Sequence, residues 1–277
     1  MQTYTLGNPA CNFAPGTLDS VQKPARVLIA ASMSLIAVFA MTGCAPDRGP
    51  FPVPASSDSD TPVVESPTPT PTPTFNKQLL SIDDPASIWV VVNKLRPLNP
   101  NNYAAPDLVD LPVINANPSK LRQEASDALV VMFNAYTAET GLKMASQSAY
   151  RSYAAQVSIY NSNVGRLGQV GADLASARGG FSEHQTGLAL DIAASPANCT
   201  LNQCFADTPQ GQWLAANSWQ YGWILRYPNG YTDITGYQFE PWHYRYIGVA
   251  ASTEYHLEGA TTLEGFFGLP AAVDYAP

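Results

Sequence analysis

The chain has 277 residues, with 22 acidic against 14 basic side chains, a formal net charge of −8 and only 13% charged residues. No Lys/Arg-rich cluster stands out along it, which excludes the electrostatic footprint of a nucleic-acid binder. The length allows one or two domains.

Residues 1–26 are polar and include Lys23 and Arg26; Val27 to Ala40 is mostly apolar and short for a transmembrane helix. Met41-Thr42-Gly43-Cys44 follows. A basic stretch, an apolar stretch and small residues before a cleavage point read as a secretory signal. The Thr-Gly-Cys ending is similar to a bacterial lipoprotein signal, which implies removal of residues 1–43 and lipid on Cys44. That places the protein outside the cytoplasm, lipid-anchored in the cell membrane and facing the cell wall. Residues 44–76 form a Pro/Ser/Thr-rich linker that ends in alternating Pro and Thr, an extended spacer with little to bury. The folded domain is assigned to 77–277.

Within the domain, Ile88 to Asn93 reads as a short buried strand and 93–118 as loop. Ser119 is expected to cap a helix whose apolar residues, Leu121, Ala125, Ala128, Leu129, Met132, Phe133 and Tyr136, follow helical spacing; Gly141 ends it. Residues 142–149 read as a strand, 154–164 as a helix, 188–193 as a strand and 208–217 as a helix, while 168–180 is ambiguous. Residues 221–227 and 238–246 read as strands about a turn at Pro228-Asn229-Gly230. Mixed elements without βαβ alternation predict an α+β fold, one compact domain with a small antiparallel sheet flanked by helices. Cys199 and Cys204 are spaced to close a small disulfide loop in an oxidising compartment. Trp213, Trp219 and Trp223 read as core. Nothing suggests more than a monomer.

The chain has three histidines. His184 precedes Asp191 by seven positions, on a helix face or on a turn feeding a strand. His243 follows Glu240 by three. An extended 240–243 segment would point these two side chains to opposite faces, but a bend at Pro241 would bring them to one cavity. Two imidazoles and a carboxylate make a three-ligand zinc site with an open position, and a spare carboxylate serves as its base. Glu240 as base and His243 as ligand is the chemically sensible division; His256 lies in what reads as a surface helix.

Ser182 to Asp191 and Glu240-Pro241-Trp242-His243 resemble the two signature motifs of the VanY-type zinc D-alanyl-D-alanine carboxypeptidases. Tyr150-Arg151-Ser152-Tyr153-Ala154-Ala155-Gln156 resembles the arginine motif that precedes them, and the likeness runs in order over residues 77–265. One departure is Ala149, where the family usually has glycine. The resemblance implies the Hedgehog/DD-peptidase fold, Zn2+ on His184, Asp191 and His243, and Glu240 as the catalytic carboxylate. It also implies that Arg151 positions or polarises the substrate. Tyr150, Gln156, Ser182 and Trp242 are the further substrate-binding candidates; Trp242, Tyr244 and Tyr246 fit either a peptide groove or the core. The implied reaction removes the C-terminal D-alanine from peptidoglycan stem peptides. The alternatives are an L,D-carboxypeptidase acting on tetrapeptides, an endopeptidase using the same zinc chemistry with loop 194–210 walling its groove, and a non-catalytic wall-binding module. Loss of Glu240 would mark the last, and Glu240 is present.

Overall fold

The computed structural model describes residues 75–276. The expected signal peptide at 1–43, the expected lipidation of Cys44 and the expected linker up to residue 74 lie outside the described residues. In chain order the elements are β1 (Leu108–Asp110), β2 (Lys120–Arg122), α1 (Gln123–Thr140), β3 (Lys143–Ser148), α2 (Tyr153–Ala175), β4 (Ala189–Ser195), α3 (Pro209–Asn217), β5 (Trp223–Leu225), α4 (Thr232–Thr235), β6 (His243–Tyr246), α5 (Val249–Leu257) and α6 (Leu263–Phe266). β1 and β2 form a hairpin-like pair. The other four strands make one antiparallel sheet in the order β3-β4-β6-β5. The fold is α+β, as the sequence predicts.

α1 buries Ala125, Leu129, Met132, Phe133 and Tyr136, the stripe expected from their spacing, in a core shared with Leu190, Ile192, Trp223 and Tyr244 of the sheet. Gly141 ends it in the left-handed conformation (φ 72°), its N–H donating to the Thr137 carbonyl. Ser119 does not cap it. A turn of strand intervenes, and the buried Ser119 hydroxyl instead donates to the Asn117 carbonyl. α2 runs far past the expected end, across a kink at Gly168 (φ 71°, ψ 170°), and so absorbs much of the segment whose sequence was ambiguous.

The expected strand at 88–93 is the main departure. Its residues are buried and alternate: Val90 and Val92 enter the main core, while Trp89 and Val91 join a second core with Ile224, Ile247, Tyr255, Leu263 and Phe266. The segment therefore has the period of a strand. It lies in no ladder, because guanidinium groups occupy its carbonyls: Arg245 Nη2 donates to Ile88 and Val90 at 3.0 and 2.8 Å, and Arg96 Nε to Val91 at 3.2 Å. Phe75 packs against Trp89 with ring centroids 5.5 Å apart, extending the second core to the first described residue. Trp213 and Trp223 are core, but Trp219 is not: it is half-buried and stacks on His256 at 4.0 Å. The expected Cys199–Cys204 disulfide is formed.

Candidate active site

The sheet register sets the first two groups. Asp191 in β4 lies directly across from His243 in β6, and Ser148 of β3 faces Asp191 from the other side. Cross-strand neighbours stand about 4.5–5.5 Å apart at Cβ, close enough for an imidazole and a carboxylate to share a third partner. His184 arrives from the loop before β4, on a short 3₁₀ turn spanning Glu183–Thr186 that Gly187 closes at φ 70°. The alternative of one helix carrying His184 and Asp191 is thus excluded in favour of a turn feeding a strand. A β-carbon at Gly187 would also meet Leu108 Cδ2 at 2.7 Å.

Glu240 reaches the same place through a backbone turn. The His243 N–H donates to the Glu240 carbonyl at 3.0 Å, with Pro241 and Trp242 at the corner. This is the bend that residues three apart require to share a cavity, and it leaves Glu240 Oε2 3.8 Å from His243 Nδ1.

One ligand atom each from His184, Asp191 and His243 lies within 4.8 Å of the others, all three residues being buried. Asp191 Oδ1 is 3.4 Å from His184 Nε2 and 3.3 Å from His243 Nδ1. The far nitrogens are engaged elsewhere. His184 Nδ1 lies 2.7 Å from the Ala149 carbonyl, which can only accept, so this nitrogen carries the proton and Nε2 keeps its lone pair. His243 Nε2 faces Glu183 Oε2 at 3.3 Å, freeing Nδ1. The residue that departs from the family's usual glycine, Ala149, thus serves through its backbone. His184 Nε2 and Asp191 Oδ1 have no hydrogen-bond partner although fully buried. Orphaned buried polar atoms converging from two imidazoles and a carboxylate fit a divalent cation with N/O ligands.

The charges agree with that fit. Burial presses the His184 imidazole down to about 4, helped by the Arg151 guanidinium. Burial also opposes a charge on His243, but Asp191, Glu183 and Glu240 outweigh it and raise that ring to about 9. Asp191 is held well below the usual carboxylate range: burial works against it, and the two histidines overcome this. Burial pushes Glu240 up to about 8, and Asp191 adds to the rise.

Arg151 borders the cluster, its Nη2 3.7 Å from Asp191 Oδ2. Gln156 accepts from its Nη1 at 3.0 Å, and its buried Nε has no partner. Arg151, Gln156, Ser182, Tyr227, Tyr237 and Glu240 surround a polar pocket of about 40 Å³ that reaches both histidines. On its other side Arg151 opens onto a wider groove of about 260 Å³, where Trp242, Asp191, Leu201 and Arg166 form parts of the wall. Gln156 and Ser182 therefore stand where the sequence places them. Trp242 does both jobs, core and groove, whereas Tyr244 and Tyr246 are core and line neither cavity. Tyr150 is half-buried and lines neither cavity. Loop 194–210 contributes Leu201 to the groove. His256, stacked on Trp219, takes no part in the cluster.

Sequence reasoning gave no role to Glu183, Arg226, Arg245, Tyr227 or Tyr237. The signal available was charge inside aromatic strands: Arg226 and Arg245 sit in segments otherwise too apolar to carry an unpaired cation.

Comparison with known proteins gives one consistent picture. The VanY family, described as D-alanyl-D-alanine carboxypeptidase, matches residues 118–249. The putative carboxypeptidase YodJ of Bacillus subtilis (strain 168) is 41% identical over 194 residues, covering 68% of this chain and 70% of the relative. Among solved structures, the LdcB LD-carboxypeptidase is similar with a TM-score of 0.61 and 39% identity, over 69% of this chain and 89% of the other. A Zn(II) complex of a mutant of the vancomycin-resistance D,D-pentapeptidase VanY from a VanB-type resistance cassette is similar with a TM-score of 0.54 and 31% identity, over 65% of this chain and 98% of the other.

Proposed function

The chain belongs to the VanY family of D-alanyl-D-alanine carboxypeptidases, and from that premise we propose that it removes the C-terminal D-alanine of peptidoglycan stem peptides as a zinc enzyme. The observation that carries this reading is the small polar pocket beside the His184–Asp191–His243 cluster, with the largely buried Arg151 guanidinium on its wall. Zinc held by those three residues would supply a Lewis acid that lowers the pKa of water and polarises a carbonyl.

The remaining chemistry belongs to the chain. Glu240, with a proton affinity near neutral, takes a proton from the attacking water and returns it to the leaving amine. A cation in the cluster would draw the Glu240 carboxyl below about 8, favouring the base form at the start of the cycle. Arg151 offers its unpartnered Nε and its outer Nη to the terminal carboxylate of the substrate. Gln156 holds the guanidinium in place, and the Gln156 amide is itself anchored on the Ala177 carbonyl at 2.7 Å. Ser182 faces the same pocket as a hydrogen-bonding group for the departing residue. A pocket of about 40 Å³ accommodates roughly three waters, which suits one small terminal residue and not a continuing chain. That size supports an exopeptidase over an endopeptidase. The upstream peptide runs along the wider groove past Trp242 and Leu201.

A second reading, cleavage of tetrapeptides by L,D-specificity, is favoured by the likeness to the LD-carboxypeptidase LdcB. Both reactions release a C-terminal D-alanine and use the same pocket. The Val27–Cys44 pattern supports export and a lipid anchor, holding the domain against the wall by a Pro/Thr-rich spacer. The test is incubation of the zinc-loaded chain with pentapeptide and tetrapeptide muropeptides, with and without chelator, followed by mass analysis. Chelator-sensitive loss of one alanine from the pentapeptide is expected. Loss from the tetrapeptide alone establishes the second reading, and release from neither refutes both.

A further inference from the structure

Glu183 also borders the small pocket, yet its carboxylate is taken up by three partners beside the cluster. It precedes His184 on the 3₁₀ turn and is 1% exposed. Its Oε1 accepts from Arg226 Nε at 2.8 Å and from Arg245 Nη1 at 3.0 Å. Its Oε2 lies 3.3 Å from His243 Nε2.

The two arginines are anchored in turn. Arg226 grips Glu264 with both Nη atoms at 2.9 and 2.6 Å, and Glu264 accepts from Asn93 Nδ2 at 3.0 Å. Arg245 donates Nε to the Tyr246 carbonyl and Nη2 to the carbonyls of Ile88 and Val90. Glu264, Arg226 and Arg245 are 0% exposed. Two carboxylates and two guanidiniums cancel in charge, and a set like this is costly to desolvate compared with apolar packing. A fold that needed only a stable core here would be served as well by leucine and methionine.

The contacts indicate what the set does. Both guanidiniums occupy Oε1, which leaves Oε2 for one partner, the imidazole of His243. The opposite nitrogen of that ring, Nδ1, is the one that looks into the cluster, 3.3 Å from Asp191 Oδ1. His184 needs no such device, because the backbone carbonyl of Ala149 holds its ring. His243 has no carbonyl on its outer nitrogen, and a buried carboxylate stands there instead.

We propose that Glu183 is a positioning residue for the metal ligand His243. It accepts the Nε2–H, holds the ring in the tautomer whose Nδ1 lone pair faces the cluster, and is itself held by Arg226 and Arg245. The inference rests on the metal-centre reading, since a ring with no metal to meet needs no fixed tautomer. Outer-shell partners of this kind orient the ligand and raise its basicity.

The experiment compares the wild-type chain with Glu183→Gln and Glu264→Gln, each by zinc affinity against a competing chelator, by the visible spectrum of the cobalt-loaded chain, and by thermal stability. Wild-type zinc retention is measured first: a wild-type chain that holds no zinc defeats the metal-centre reading itself. Given retention, Glu183→Gln is expected to weaken zinc binding about 10- to 100-fold and to move the cobalt bands. Glu264→Gln removes a carboxylate from the same buried set, three links from the ring through Arg226 and Glu183. It is expected to lose stability while keeping wild-type zinc affinity and cobalt spectrum. Wild-type zinc affinity in Glu183→Gln, or an equal loss in Glu264→Gln, overturns the proposal. If Glu183→Gln does not fold, nitrogen NMR of the imidazoles in the zinc-loaded wild-type chain decides. A slowly exchanging, hydrogen-bonded proton on His243 Nε2 is expected; a metal-bound Nε2 or a freely exchanging proton there overturns it.

Discussion

Replacing Arg151 with methionine tests the substrate end of the site. The side chain is buried to about four-fifths (20% exposed) and has an unpartnered Nε. One Nη is committed to Gln156, so Nε and the outer Nη remain for an incoming carboxylate. Hydrogen bonds between charged groups contribute about 1.5–3 kcal/mol each. Two of them, discounted because Asp191 already draws on the same guanidinium, give about 3–4 kcal/mol, or a loss of a few hundred-fold in kcat/KM. The assay is a cycle: wild type and Arg151→Met, each against a peptide ending in D-alanine and against its C-terminal amide. If Arg151 binds the terminal carboxylate, the wild-type enzyme should lose a few hundred-fold on the amide. The variant should then show little further discrimination between the two. Multiplying losses would show that Arg151 acts elsewhere, on the developing oxyanion for example, and would refute the assignment. Zinc content measured alongside must stay at the wild-type level.

Glu240→Gln should retain the metal and the fold and lose about 10²- to 10⁴-fold in kcat; near-wild-type turnover would remove Glu240 from the role of base. His184→Ala should lose zinc by metal analysis, whereas His256→Ala should keep both zinc and activity, since that ring stacks on Trp219 away from the cluster; zinc loss in the latter would contradict the site. In the metal-free chain His243 is raised to about 9 and is therefore protonated at pH 7, whereas ligation through Nδ1 needs the neutral ring. Zinc uptake at pH 7 should accordingly release a proton from His243, with a further contribution from Glu240 as the cation draws its carboxyl below about 8, and affinity should climb with pH until about 9. Calorimetry in buffers of different ionisation enthalpy reads this directly, and zero release would show a ring already neutral. Gly187→Ala should destabilise by about 1–3 kcal/mol, because residue 187 needs positive φ and its new methyl would press on Leu108; an unchanged melting temperature would mean the turn relaxes.

The candidate ligand cluster was legible because metal chemistry restricts residue types far more than folding does. Three histidines, two of them beside carboxylates at short spacing, leave few ways to build a site. The α1 stripe was equally open, since a helix face is written at fixed period. What failed was the backbone state of segments whose hydrogen-bond partners lie elsewhere in the chain. The 88–93 segment carries a strand's alternation, but whether such a segment joins a ladder is decided by who binds its carbonyls. Here that is Arg245, more than 150 residues away. Ser119 has the chemistry of a cap, yet pairing of β2 with β1 delays the helix to Gln123. Glu183 was hidden for the same reason: its neighbour in sequence is the candidate ligand His184, while the one it touches, His243, lies 60 residues on.

The two candidate histidine ligands differ in how rigidly the fold can specify them. His184 lies on a turn outside the sheet, and its ring is set by one backbone carbonyl at the end of β3. His243 opens β6, so its Cα is fixed by pairing with Asp191 of β4 on one side and by the Arg226 N–H, which donates to its carbonyl at 3.2 Å, on the other. A ladder fixes which face a side chain leaves from and leaves the ring free to turn about χ2. Rotation by half a turn would put Cδ2 where Nδ1 faces the cluster and destroy the geometry without disturbing a single backbone bond. The sheet alone is therefore insufficient, and an acceptor on the outer edge of the ring is a requirement of placing a metal ligand in a central strand. That acceptor must be buried, because β6 is buried along its whole length. A buried carboxylate needs cations, which accounts for Arg226 and Arg245 entering an otherwise aromatic core. The same Arg245 then satisfies the carbonyls of the extended 88–92 segment. The apparent anomaly in the fold and the charge set behind the active site thus follow from one constraint, the orientation of one imidazole.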